Sequence, residues 1–264
     1  MRRRDFLTAS TLALATPLFA RAADQNSTRQ YYELRTYHFP SAEKQSAFEA
    51  FLKDTALPAF NRAGVEPVGL FKPFAKDNPQ LKASSDPLDL YILLPHNNLD
   101  SFLNLPAKLA ADAAYQDAGK GIVAGPKSDP GYLRYDATLL LAMEAAPRLV
   151  LPPKSDTRVL ELRTYQSHNE ERAANKLSQF NKGEIPLFAR AGAPGVFFGS
   201  ALAGPNLPHL TYMVAHDSAE NVKQHWSNFG KDPDWKKLSA DPSYKDNVSK
   251  IINTFLRPLP GSQL

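Results

Sequence analysis

The pentapeptide ELRTY at residues 33–37 recurs at residues 161–165, an offset of 128 positions. At that same offset LPAFNRAG (57–64) recurs as IPLFARAG (185–192). Two separate blocks with one offset mark an internal duplication, and no other feature constrains the fold as much. The 264 residues become two copies of a unit of about 110 residues, each small for a domain and expected to need its partner.

The same elements can be read in each copy. In the first, Tyr31–His38 is an aromatic and Thr-rich β-type run. Ser41 opens a helix whose apolar stripe is Phe48, Phe51 and Leu52. Pro58, matched by Pro186, is expected to break that helix, leaving a short one that ends at Gly64 (Gly192), where glycine supplies a left-handed cap. Strands over 68–71 and 88–94, a helix capped by Asn98 and a strand over 132–141 complete the unit. The second copy gives strands at 158–165, 196–202, 209–215 and 251–257, a helix over 170–190, and a helix capped by Ser218 running to Phe229. The offset shrinks to 120 between LYILLPH (90–96) and LTYMVAH (210–216), and to 116 between Thr138 and Thr254. Each change falls in a loop, as a true repeat requires.

The order β-α-β-β-α-β is the ferredoxin-like unit, an antiparallel sheet with helices on one face and a second face that needs a cover. The expected fold is therefore α+β, with two such repeats packed sheet to sheet as an intramolecular dimeric α/β barrel, helices outside. The expected boundaries are residues 30–143 for the first repeat, 144–156 for a stiff linker containing Pro147, Pro152 and Pro153, and 157–260 for the second repeat.

Residues 1–22 read as a signal peptide that is removed. Arg3-Arg4-Asp5-Phe6-Leu7 resembles a twin-arginine export signal, the apolar run to Phe19 is too short to span a bilayer, and Ala20-Arg21-Ala22 is a small-x-small cleavage site. Maturation is expected at Ala23 or Asp24, in the periplasm, with no membrane span left. Removing these residues takes the balance from 31 basic and 27 acidic to 27 and 26. The basic character thus belongs largely to the leader, and nucleic acid is not an expected partner. With no cysteine, disulfides, thiolate catalysis and iron–sulfur ligation are excluded.

ELRTY at both strand starts, the LPAF…RAG and IPLF…RAG helix ends, Asp232-Pro-Asp-Trp235 and Phe255-Leu-Arg-Pro258 together resemble the NIPSNAP family, a branch of the dimeric α/β-barrel proteins. The resemblance spans nearly all of residues 30–260 as two tandem copies. It is closer in the second, because the first has Asp112-Ala-Ala-Tyr115 and Leu140-Leu-Ala142 at the corresponding places. It implies the barrel but little about activity, since the family has no agreed reaction. Cofactor-independent monooxygenases and haem-handling enzymes share the barrel, which is an analogy of fold alone.

Side chains alternate along a strand, so Glu33, Arg35 and Tyr37 share one face and Leu34 and Thr36 the other. Assigning Leu34 to the helix-covered face puts Glu33, Arg35 and Tyr37 inside the barrel, opposite Glu161, Arg163 and Tyr165. These six, with Trp235 as a cavity wall, are the candidate ligand-binding residues. The set reads either as a polar pocket that grips an anion and moves protons, or as a structural ion-pair network. Asp232-Pro-Asp-Trp235 also reads simply as a capped helix start. No catalytic residue can be named.

The histidines lack HExxH or other metal-ligand spacing, and there is no phosphate loop, GxSxG elbow or haem attachment motif, so neither a metal nor a cofactor is expected. The functional expectation is a small anionic or amphipathic molecule bound in the barrel interior. The alternatives are a cofactor-independent monooxygenase or isomerase, and an oligomeric scaffold that associates with further copies. Replacing Arg3-Arg4 by Lys-Lys is expected to leave the precursor in the cytoplasm. Cell fractionation showing normal export of that variant would remove the twin-arginine reading.

Overall fold

The computed structural model describes residues 29–264, so the signal-peptide reading lies outside the described residues. Eight strands form a closed barrel in the order β1-β3-β2-β8-β5-β7-β6-β4. They are β1 Tyr31–His38, β2 Gly69–Pro73, β3 Asp89–His96, β4 Arg134–Ala142, β5 Val159–Gln166, β6 Gly195–Ala203, β7 His209–His216 and β8 Lys250–Pro258. Each repeat supplies a four-stranded antiparallel sheet of ferredoxin-like order, β4-β1-β3-β2 and β8-β5-β7-β6. Hydrogen bonding across two seams joins the sheets. Phe71, Lys72 and Pro73 pair with Pro258, Arg257 and Leu256. Leu139–Ala142 of β4 pairs with Gly199–Ala203 of β6 through a bulge. Closure leaves neither sheet with an uncovered edge along the seams, which removes the liability of a free strand there.

The helices lie outside. In the first repeat α1 Ala42–Phe51 runs through a π turn, Leu52–Ala56, into α2 Leu57–Arg62, and later come α3 Leu99–Ala111 and α4 Ala113–Val123. In the second, α5 Glu170–Gln179 runs through a π turn, Phe180–Glu184, into α6 Ile185–Ala191, followed by α7 Val222–Lys231 and α8 Pro233–Ser239. The expected break at Pro58 and Pro186 is absent. The residue before each proline bonds five back instead of four, Leu57 N–H to the Leu52 carbonyl and Ile185 N–H to the Phe180 carbonyl. The wider turn gives the ring room without ending the helix. Gly64 and Gly192 do stop the helices, at φ of +83° and +97°, the region glycine enters at least cost. Ser218 does not cap α7. Asn221 precedes its first residue, and Ser218 lies in the loop before the turn that leads into it.

Three apolar clusters result. One lies under the first repeat's helices (Phe48, Phe51, Phe60, Leu70, Ile92) and another under the second's (Phe180, Phe188, Phe198, Tyr212, Phe229). The third fills one end of the barrel with Tyr32, Phe71, Leu93, Leu140, Leu160, Phe197, Met213 and Leu256. This third cluster draws on both repeats, so neither half can bury it alone.

The face assignment made from sequence is inverted. Leu34 and Leu162 belong to the barrel interior, whereas Tyr37 and Tyr165 belong to the clusters beneath the helices. Glu33 and Arg35, and Glu161 and Arg163, alternate in phase with those tyrosines and so also face the helices. The cause is that both faces of these strands are buried, so apolarity does not say which face the helices cover. Leu93→Ala and Leu160→Ala, one from each repeat, are each expected to cost about 2–5 kcal/mol in urea unfolding. Each should retain a single cooperative transition, and two separated transitions would contradict a shared interior.

Candidate functional site at the open end of the barrel

Along β1 and β5 the inward-facing residues change from largely apolar to polar. On β1 they run Tyr32, Leu34, Thr36, His38, and on β5 Leu160, Leu162, Thr164, Gln166. The apolar ends pack together and close one end of the barrel. The polar ends leave a solvent-reachable cavity of about 320 Å³ at the other, lined by Leu34, Tyr91 and Leu162 below and by Thr36, Thr138, Thr164, Thr211 and Thr254 around. Thr164 and Thr211 share a hydrogen bond of 2.9 Å across β5 and β7.

Most of the lower lining obeys the duplication: Leu34 matches Leu162, Thr36 matches Thr164, and Thr138 matches Thr254, while Tyr91 stands where the second repeat has Thr211. The rim does not. His38 stands where the second repeat has Gln166, Asp89 where it has His209, and Asp136 where it has Ile252. A ligand here would lie near a pseudo-twofold axis with different chemistry on its two sides.

The titratable groups of the rim are held in different states. His38 Nδ1 is 2.7 Å from Asp89 Oδ1, and Nε2 is 3.3 Å from Asp136 Oδ2. Burial disfavours the imidazolium, but these two carboxylates outweigh it and raise the pKa above the ordinary histidine value. His209 is 7% exposed, and burial lowers its pKa despite backbone hydrogen bonds at Leu210 and Pro205. Burial also pushes the Tyr91 phenol up to about 12, helped by the charge of Asp89 and opposed by a hydrogen bond with Thr254. The rim thus pairs an imidazole whose charged form is favoured with one whose charged form is disfavoured.

The ELRTY residues form two buried networks elsewhere. In the first repeat Arg35 donates to both oxygens of Glu33, at 2.6 and 3.0 Å, and lies 3.5 Å from the Tyr37 hydroxyl. In the second, Arg163 donates to Glu161 Oε1 at 2.5 Å and to the Tyr165 hydroxyl at 3.2 Å. Trp226 Nε1 lies 2.8 Å and His216 Nε2 3.1 Å from Glu161 Oε2. Burial alone would raise both glutamates. His96, with Nε2 3.5 Å from Glu33, and the Arg35 pair, together with the bonds from His216 and Arg163 to Glu161, hold both glutamates below the usual carboxylate range instead.

None of Glu33, Arg35, Tyr37, Glu161, Arg163 and Tyr165 lines the barrel-mouth cavity. Trp235 does not wall it either. Its ring packs on Phe229 with centroids 4.7 Å apart, and Asp232 caps its helix by accepting from the N–H groups of Asp234 and Trp235. Among the described residues no group of three or more acidic or histidine side chains is arranged to hold a metal. Sequence reasoning missed the threonines, His38, Tyr91 and His209. The signal was available in the repeat pairs Thr36/Thr164 and Thr138/Thr254.

Residues 160–263, nearly the whole second repeat, match the NIPSNAP family model. That is the copy in which Asp232-Pro-Asp-Trp235 and Phe255-Leu-Arg-Pro258 stand whole. No curated protein matches the chain. A solved structure from Fusobacterium nucleatum, provisionally described as a monooxygenase, has a TM-score of 0.55 at 14% identity, covering 88% of this chain and 93% of its own. Another, from Lactobacillus acidophilus and also provisionally a monooxygenase, has a TM-score of 0.54 at 12% identity, covering 87% and 94%. A third, provisionally a chlorite dismutase, has a TM-score of 0.50 at 9% identity, covering 89% and 96%. At these identities the likeness is one of fold.

Beneath the second repeat's helices, Lys176 Nζ contacts Glu184 Oε2 at 2.8 Å, both side chains buried. The first repeat has Phe48 and Ala56 at the same places, so the fold itself does not need the pair. Burial lowers the Lys176 pKa and raises that of Glu184, and their mutual attraction opposes both shifts. Lys176→Met or Glu184→Leu alone is expected to destabilise by about 3–5 kcal/mol, and the double variant to be neutral or more stable. Additive losses in a double-mutant cycle by urea unfolding would contradict this.

Proposed function

We propose that this protein, whose second repeat matches the NIPSNAP family model, binds a small amphipathic molecule without net negative charge in the open end of the barrel. The cavity of about 320 Å³, with its Leu34/Leu162 floor and threonine wall, carries the reading. Its volume is that of a small-molecule site. The floor suits a hydrocarbon portion, and the hydroxyls suit a carbonyl or hydroxyl group, since each can donate or accept. The anionic alternative loses its support with the face assignment. The lining contains no Arg or Lys and does contain Asp136, while Arg35 and Arg163 are engaged beneath the helices. The reading includes export to the periplasm, on the strength of Arg3-Arg4-Asp5-Phe6-Leu7.

A second reading, a cofactor-independent oxygenase or isomerase, is favoured by His209. Its imidazole is kept neutral on the wall of a water-reachable cavity, where it can take a proton from a bound substrate. The solved structures described as monooxygenases are consistent with this reading through their fold.

Native mass spectrometry of the protein purified from its own compartment should find a co-purifying small molecule. Thr164→Val with Thr254→Val, which keeps shape and removes two hydroxyls, should weaken its retention by about tenfold, the worth of two ordinary hydrogen bonds. Retention unchanged in that variant would sink the barrel-mouth reading. Turnover of the molecule that is lost in His209→Gln would favour the enzyme.

A further inference from the structure

Arg158, immediately before β5, is a buried cation that none of the networks above includes. It is 8% exposed. Its Nη1 donates to the carbonyls of Pro153 at 2.8 Å and Pro152 at 3.3 Å, while its Nε has no hydrogen-bond partner among the described residues. Burial lowers its proton affinity, and no neighbouring acid restores it.

The first repeat shows how the same position is otherwise filled. The equivalent of Arg158 is Gln30, and that of Asp217 is Asn97. Gln30 donates to Asn97 at 3.2 Å and accepts from the Leu149 N–H at 2.8 Å. Neutral amides therefore seal that corner. In the second repeat a cavity of about 110 Å³ has both Arg158 and Asp217 in its lining. Arg158 also lines a groove of about 440 Å³, together with Lys154, Ser155, Asp156, Arg257 and Ser262. Arg257 is already held by Asp77, at 2.6 and 2.9 Å. Lys154 and Arg158 remain, with Asp156 to offset one charge.

We infer that this groove binds a small oxyanion, a phosphate or carboxylate group, held by Arg158 with Lys154 as a second donor. Arg158 forms part of the groove wall, and its guanidinium, in which only Nη1 has hydrogen-bond partners among the described residues, suits the paired oxygens of such a group. The groove is the seat, not the smaller cavity, because the groove adds Lys154 as a second cation, whereas the cavity adds the acid Asp217 and no lysine. The groove is built from the linker, the residue before β5 and the end of β8, at the closed end of the barrel. It is therefore independent of the cavity at the mouth.

The test is calorimetric titration of the full chain with inorganic phosphate and, separately, acetate, at constant ionic strength made up with chloride. Saturable binding of at least one anion is expected, and which one binds tells a phosphate source from a carboxylate source. Arg158→Gln installs the first repeat's own residue. It should weaken binding by about tenfold or more, as loss of a charge-assisted pair does, and raise the melting temperature of the anion-free protein. Lys154→Ala, at an exposed position, should weaken binding by about threefold. No saturable binding of either anion, or binding untouched in both variants, overturns the proposal. Should Arg158→Gln not fold, Lys154→Ala decides alone. Thr164→Val with Thr254→Val should leave anion binding unchanged, which separates this site from the mouth.

Discussion

A four-stranded sheet covered by helices on one face leaves an apolar second face against water, and hiding that face organises the molecule. The cost of exposing it scales with area, at roughly 25 cal/mol per Å². Here each repeat covers the other. Tyr32, Leu93 and Leu140 from the first meet Leu160, Phe197 and Met213 from the second in one cluster. Closure through the β2–β8 and β4–β6 seams follows from that demand, and so does the position of the cavity. The inward-facing residues stop being apolar before the strands end, so the barrel is filled at one end and open at the other.

Much of this was legible because it is written in local signals. The duplication, the strand order and the two glycine stops come from short-range chemistry that a chain carries wherever it is placed. The site was less legible. Glu33, Arg35 and Tyr37 draw attention because charged groups in a strand demand an explanation, but the explanation is mutual pairing under a helix layer. Tyr37 ends up buried and Leu34 half-buried, and only the identity of the neighbours, Phe48 for Tyr37 and Leu162's cluster for Leu34, tells inside from outside. That is tertiary information, beyond the reach of a period-two pattern. A threonine taken singly gives no warning because it is an ordinary strand residue, and only its recurrence at Thr36/Thr164 and Thr138/Thr254 carries a signal. Its significance lies in several copies converging around one opening.

The two repeats serve as controls for each other. Positions where they agree, such as Glu33/Glu161 with His96/His216, carry what the fold needs twice. Positions where they part company need another account. Phe48 and Ala56 against Lys176 and Glu184, Gln30 against Arg158, and His38 against Gln166 each contrast two solutions to one backbone environment. At the first two of these sites the second repeat carries the charge, and it is also the copy that matches the NIPSNAP model. Buried charge at a place where neutral or apolar residues already suffice is where function beyond folding is best sought.

The central claim is that threonines, and not the ELRTY charges, face the space inside the barrel. The chain has no cysteine, so a single introduced thiol reports its own surroundings cleanly. Labelling the folded protein with a small methanethiosulfonate reagent should modify Thr254→Cys rapidly. Tyr165→Cys, if it retains the native circular dichroism, should react only after unfolding. Fast reaction at position 165 together with protection at position 254 would contradict the account.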